Sequence, residues 1–148
     1  MQDWLYESTS FDDEEVLNSH VGFVYLITNL VDGRRYIGKK LFKFSRTKQV
    51  KGKRKKVKVD SDWKTYFSSS EALKADVEAL GPDSFRREIL RLCKTKAECS
   101  YWEAKLQFEH DVLLSDQWYN SWISCKIHKG HVLGKDKVNG KEPKGQDA

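Results

Sequence analysis

Polar and apolar positions change rhythm several times along the chain. From Gly22 the run Phe23-Val24-Tyr25-Leu26-Ile27-Thr28 is β-rich, Asn29 to Gly33 interrupts it, and Arg34-Arg35-Tyr36-Ile37-Gly38 resumes it. Two such runs around a short loop holding Asp32-Gly33 predict a β-hairpin. Beyond Gly38 two periods compete. Phe42 and Phe44 alternate as in a strand, whereas Leu41 and Phe44 would share a helix face, so both readings stay open. Lys48 to Lys58, with Gly52 near its middle and Val57 and Val59 at its end, reads as a basic loop or a protruding β-ribbon rather than core.

Further on, Ser68-Ser69-Ser70-Glu71 offers a capping box, and Leu73, Val77 and Leu80 recur at helical spacing before Gly81-Pro82. That predicts a helix of about 10 residues. Phe85 to Leu92 reads as a strand, its Ile89 and Leu92 flanked by Arg86, Arg87 and Arg91. A second capping box, Thr95-x-x-Glu98, opens the longest helical pattern, from about Lys96 to Leu114. Tyr101, Ala104, Phe108 and Val112 line one side of it, and Trp102, Leu106 and Leu113 a neighbouring side. Two apolar stripes predict a central, well-buried helix. Trp118 to Ile127 follows as a short aromatic segment.

This order predicts an α+β fold, a small, mostly antiparallel sheet flanked by helices. At 148 residues the chain has room for one core but not for two ordinary domains. Residues 1–19 form an acidic arm, 20–127 the folded body with a basic insertion at about 47–60, and 128–148 a basic, flexible tail. The arm either stays mobile or docks through Trp4, Leu5, Tyr6 and Phe11.

Charge sharpens the picture. Met1 to Ser19 holds six acids and no Lys or Arg, whereas Lys39 to Lys58 holds eleven Lys and Arg and no acid. Such a run repels itself unless a polyanion neutralises it, so Lys40, Lys43, Lys48, Lys51, Lys53, Arg54, Lys55, Lys56 and Lys58 are candidate nucleic-acid contacts. The ordinary alternative is a solvated face. No apolar run reaches the roughly 20 residues that span a bilayer, and the acidic start is unlike a secretion signal. An intracellular, cytoplasmic protein without membrane contact is expected. Three cysteines, an odd number, favour reduced thiols over a disulfide framework.

Tyr25 in Phe23-Val24-Tyr25 and Tyr36 in Tyr36-Ile37-Gly38 lie on the two hairpin strands. A glutamate, Glu103, follows on the long helix and an asparagine, Asn120, beyond it. Lys39 directly follows Gly38, and Arg46 lies eight residues after it. This set resembles the GIY-YIG nuclease family over about Gly22 to Asn120. Tyr36-Ile37-Gly38-Lys39-Lys40 and Tyr101-Trp102-Glu103 look most like its phage-encoded free-standing and intron-homing members. The first motif departs from the family, since Phe23 stands where a glycine leads and Gly22 comes one position earlier.

The resemblance implies a DNA endonuclease with a site built from Tyr25, Tyr36, Lys39, Arg46, Glu103 and Asn120. It implies double-stranded DNA as partner, a bacterial or phage-infected cell as setting, and a 5'-phosphate and a 3'-hydroxyl as product ends. Glu103 would hold one Mg²⁺ or Mn²⁺ among waters and phosphate oxygens. Arg46 would grip the phosphate with a planar, always-charged fork. One tyrosine would deprotonate water and the other orient it; strand register decides which hydroxyl faces the metal. With a reference pKa of about 10, a tyrosine needs a nearby cation to act as base, and Lys39 is the expected source.

Each residue also has a plainer reading. The tyrosines suit amphipathic strands, Glu103 a solvated helix face, and Asn120 a turn. Lys48 or Arg54 stand in for Arg46 if strand structure takes it away. His110 falls almost on the helical face of Glu103, as a supporting group or as surface, and His20 precedes the first strand as an auxiliary base. Cys125, His128 and His131, with Cys93 and Cys99, invite a zinc reading that their spacing does not support. Double-strand cutting would call for a homodimer. Remaining alternatives are a catalytically silent nucleic-acid-binding module of the same fold and a restriction or repair nuclease.

Overall fold

The computed structural model describes residues 1–124 and Lys129. The chain folds as α+β. Its elements are β1 (Leu5–Tyr6), β2 (Thr9–Ser10), α1 (Glu14–Ser19), β3 (Gly22–Asn29), β4 (Arg35–Leu41), β5 (Lys43–Val50), β6 (Lys53–Asp60), α2 (Glu71–Leu80), β7 (Phe85–Cys93) and α3 (Lys96–Glu109). A five-stranded sheet runs β2-β1-β7-β3-β4, and β5 with β6 forms a separate two-stranded ribbon. Every pairing is antiparallel except β1 with β7.

The alternation read along β3 divides the core. Phe23, Tyr25 and Ile27 point to one face, where they pack with Phe42, Trp63, Leu73 and Phe85. Val24 points to the other, with Ile37, Cys93, Cys99, Val112 and Trp118. α2 and the N-terminal segment cover the first face, and α3 covers the second. At the hairpin turn Asn29 Oδ1 accepts from the N–H of Val31 at 2.9 Å, and Gly33 takes φ +83°. That left-handed conformation is the reason for a glycine there.

The acidic arm docks. Trp4 is 1% exposed, and its indole N–H donates to Trp63 O at 2.7 Å. Arg87, almost wholly buried in β7, donates to Gln2 O, Lys64 O and Tyr66 O at 2.7–3.0 Å, and its guanidinium lies between the rings of Trp4 and Phe67. Burial brings its pKa down to about 10. The acids from Asp12 to Glu15 stay at the surface, so aromatic anchoring decides the arm's place and its charge does not.

After Gly38 the strand reading holds. Phe42 is buried at the root of the ribbon, and Lys51 and Gly52, with φ of +52° and +77°, close a two-residue turn at its tip. α2 is capped by Ser70, whose Oγ accepts from Leu73 N at 3.3 Å, two residues later than the box Ser68-x-x-Glu71 places its cap, and it stops at Gly81 as expected.

α3 differs from expectation in length and burial. It ends at Glu109, because Asp111 adopts φ +51° and the N–H of Val112 turns back to Gln107 O at 3.2 Å. Val112 is thereby folded into the core instead of extending a stripe. Phe108 is 55% and Leu113 46% exposed, so the helix is not central. It is an outer layer with one covered face, where Cys99, Ala104 and Gln107 are buried.

The tail beyond residue 124, with Cys125, His128 and His131, lies outside the described residues apart from Lys129.

Candidate active site

The hairpin register sets Tyr25 opposite Gly38 and Ile27 opposite Tyr36, so both tyrosines fall on the same sheet face. Their rings stack 6.1 Å apart at 30°. A side chain at Gly38 has no room: a Cβ there would lie 2.5 Å from Tyr25 Oη and 2.7 Å from Tyr36 Cε1. The glycine of Tyr36-Ile37-Gly38 is thus the floor on which the two rings rest. Phe23 is a core residue of β3, and the pairing of β3 with β7 shifts register between Val24 and Tyr25. Gly22 answers a separate constraint, since a Cβ on it would meet Lys40 O at 2.5 Å.

Glu103 arrives from the opposite face. The charge and backbone N–H of Lys39 act on its carboxylate, while Lys39 Nζ donates to Ser100 Oγ at 2.6 Å, one helical turn before Glu103. Burial raises the Glu103 carboxyl above its ordinary 4.5, and the charge and N–H of Lys39 oppose that rise. Because β4 is an edge strand, a cleft of about 780 Å³ wraps around its free side. Tyr36, Lys39, Glu103, Gln107 and Asn120 line it, with Ser69 and Glu71 from the start of α2.

The two tyrosines are not equivalent. Tyr36 lines the cleft, whereas Tyr25 is 1% exposed beneath it, against Tyr36 and Tyr66. Burial, then the neighbouring Tyr66 and Tyr36, push the Tyr25 hydroxyl well above its ordinary value, and Glu103 adds to the rise. Burial also raises Tyr36, opposed by a hydrogen bond with Ser69 and helped by Glu103. Both are therefore neutral phenols near pH 7. Lys39 does not depress either one, because it faces Glu103 on the other side of the sheet.

Asn120 lies in the cleft wall with both ends of its amide committed. Oδ1 accepts from Ile37 N at 3.1 Å and Nδ2 donates to Ile37 O at 2.8 Å. It imitates a sixth strand at the open edge, where the N–H of Arg35 also bonds Gln117 O and that of Tyr119 bonds Arg35 O. Gln107 adds a donor to Ile37 O at 2.9 Å, and its own Oε1 is buried without a partner among the described residues.

Sequence reasoning missed Gln107, although its place four residues after Glu103 puts it on the same helical face. It also missed Tyr66 and Ser69, whose approach to the tyrosines is a matter of tertiary packing and leaves no local signal.

Several expected residues are elsewhere. Arg46 is exposed on β5, its guanidinium carbon 5.3 Å from the Phe44 ring centroid, and it does not line the cleft. A strand, not a helix, carries it. Lys48 and Arg54 share the exposed ribbon, so neither takes its place at the cleft. Lys40, expected on DNA, instead bonds Asp62 at 2.7 Å and covers the Tyr66 ring at 4.0 Å. That pairing holds the Asp62 carboxyl below its usual range. Lys43, Lys48, Lys51, Lys53, Arg54, Lys55, Lys56 and Lys58 are all exposed on the ribbon. His110 is exposed against Trp118, and His20 bonds Ser19. Cys93 and Cys99 are buried free thiols, and no cluster of three His, Cys, Asp or Glu forms among the described residues.

Residues 4–123 match the model of a family described as "Putative endonuclease segE, GIY-YIG domain". No curated protein and no solved structure matches the chain.

Proposed function

From the membership of this chain in the GIY-YIG endonuclease domain family, we propose that it is a divalent-metal-dependent endodeoxyribonuclease whose reacting centre is the cleft at the free edge of β4. The observation that carries this reading is the meeting of Tyr36 and Glu103 there from opposite faces of one strand.

The cleft fits a small, hard cation. It offers one carboxylate of raised pKa, Glu103, and one buried amide oxygen without a donor among the described residues, Gln107 Oε1, a turn apart on α3. Magnesium uses few protein oxygens and keeps several waters. Glu103 and Gln107 would hold one Mg²⁺ or Mn²⁺. Such an ion supplies charge against the phosphate oxygens and lowers the pKa of a coordinated water.

In this reading Tyr36 orients the attacking water by its hydroxyl. Tyr25 is a positioning residue that fixes the Tyr36 ring from below. Lys39 keeps Glu103 ionised and aimed, and Asn120 holds β4 straight at Ile37. Arg46 engages the DNA backbone through the ribbon, outside the cleft. The finer assignment is to a free-standing, phage-type nicking, homing or defence nuclease acting on double-stranded DNA in a bacterial cytoplasm, leaving 5'-phosphate ends. One cleft cuts one strand, so double-strand breaks require two visits or two copies. Among the described residues no helix is long and apolar enough to cross a membrane.

The position of Arg46 outside the cleft favours a second reading, a nucleic-acid-binding module without catalysis. Incubating supercoiled plasmid with Mg²⁺ separates the two. The nuclease nicks it, Glu103→Ala does not, and end-labelling finds 5'-phosphates. Intact plasmid with the wild-type chain across Mg²⁺ and Mn²⁺ concentrations sinks the catalytic reading.

A further inference from the structure

The β5–β6 ribbon has two unlike faces, and its register tells which residues share each. Directly opposed residues point the same way. Ser45 therefore stands beside Lys58, Thr47 beside Lys56 and Gln49 beside Arg54 on one face, and all six are exposed. Lys43 opposite Asp60 completes that face at the root, and the other face pairs Phe44 with Val59, Arg46 with Val57, Lys48 with Lys55 and Val50 with Lys53. Val57 and Val59 are half-buried there, and Arg46 is folded over Phe44. One face thus carries a small apolar patch at its root and the lysines Lys48, Lys53 and Lys55 toward its tip. The other carries only groups that donate or accept hydrogen bonds.

We propose that the polar face of this ribbon enters the major groove of duplex DNA, with Thr47, Gln49 and Arg54 on base edges and Lys56 and Lys58 on the flanking phosphates. The proposal rests on the nuclease reading above and names the element that selects the substrate. Dimensions agree: eight residues per strand at about 3.3 Å each give a ribbon about 26 Å long, and a groove about 12 Å wide admits two strands where one of about 6 Å does not. The narrow tip at Lys51 and Gly52 adds no bulk. The chemistry agrees too. An arginine fork fits guanine O6 and N7, a glutamine amide fits adenine N6 and N7, and threonine adapts to either. No ion pair forms on the ribbon among the described residues, so its cations are left for phosphates.

The test uses the full chain carrying Glu103→Gln, which leaves bound DNA intact, and a pool of random duplexes. The bound fraction should share a short preferred sequence. Within it dimethyl sulfate should fail to methylate guanine N7, in the major groove, while adenine N3, in the minor groove, stays reactive. Combining Thr47→Ala, Gln49→Ala and Arg54→Ala should erase the preference, on the order of 10-fold or more. Combining Lys48→Ala, Lys53→Ala and Lys55→Ala, from the other face, should weaken binding to all duplexes alike and leave the preference. An unenriched pool, protection at adenine N3 instead, or a preference that survives the polar-face substitutions overturns the proposal. Enrichment and N7 protection by a chain that never nicks plasmid would remove the nuclease reading and leave the groove assignment standing. Nicking without enrichment does the reverse.

Discussion

The hairpin of β3 and β4 and the ribbon of β5 and β6 follow one another along the chain, and both are antiparallel. In the first, nearly every side chain of β3 is covered, a glycine is dictated by two rings lying on it, and the outer edge is clamped by Asn120. In the second, fourteen of the sixteen strand residues are exposed, and Lys48 faces Lys55 directly across the strands. Packing holds the tyrosines and Glu103 in one geometry before any substrate arrives. The ribbon is held by backbone pairing and a small patch of Phe44, Arg46, Val57 and Val59, with Lys48 opposed to Lys55, so on the proposed reading a polyanion would add stability that the ribbon lacks by itself. On that reading, chemistry and capture belong to adjoining pieces of chain under opposite physical regimes.

Changes aimed at one region should leave the other unmoved, and the largest effect tests this first. Glu103→Ala should lower plasmid nicking by at least the order of 10³-fold, while gel-shift affinity for duplex DNA stays within about twofold. A parallel loss of binding would show the regions to be one unit. Next comes salt. If the ribbon meets six phosphates, affinity should drop on the order of 10³-fold between 50 and 200 mM salt, and a flat titration breaks the contrast from the other side.

Gly38→Ala forces the stacked tyrosine rings apart. It should cost about 1–3 kcal/mol in denaturant unfolding and remove nicking, whereas Lys55→Ala shifts stability by less than about 0.5 kcal/mol. Asn120→Ala strands the Ile37 N–H, while Gln107 still serves Ile37 O; an unfolding cost of about 1–3 kcal/mol is expected, with nicking reduced but measurable. An unchanged midpoint would mean that β4 does not need the clamp.

The smallest effect is on pH. Burial raises the folded pKa of Glu103 above its ordinary 4.5, so the folded state binds this proton more tightly than the unfolded chain. Its contribution to stability is complete below the unfolded value and is lost as pH rises through the folded value. Without metal, Glu103→Gln should therefore melt above wild type at neutral pH, and the gap should close in acid. Nicking should fall on the acid side at a pH above that of an ordinary glutamate. Superimposable melting curves at both pH values would contradict this.

Much of this contrast was legible in the chain. Alternation in Phe23 to Thr28, the cap at Thr95 and the stop at Gly81 are local signals that local structure obeyed, whereas the cap of α2 falls on Ser70 and not on Ser68. Tyr25, Tyr36 and Glu103 were legible as a set through the family resemblance that their motifs carry. The inequality of the tyrosines was not, because it depends on Tyr66 and Ser69 arriving from elsewhere. The end of α3 was misread for a related reason: Val112 continues the apolar period while Asp111 takes a left-handed backbone that composition does not announce. Of the two readings of the acidic arm, docking holds: Trp4 and Phe11 enter the core, β1 pairs with β7, and Arg87 braces Trp4. Arg46 was assigned to the site by resemblance, and the strand that carries it leads away from the cleft.

The row of donors and acceptors along the outside of β4 has a further consequence. An unpaired strand margin is where a foreign chain most readily adds itself, the first step toward fibrils and other runaway assemblies. Here Gln117 to Asn120 already occupy that margin, one of them by a side chain alone. Strand addition by a second molecule at this border would have to displace the wall of its own cleft, so self-association there and an intact pocket exclude each other.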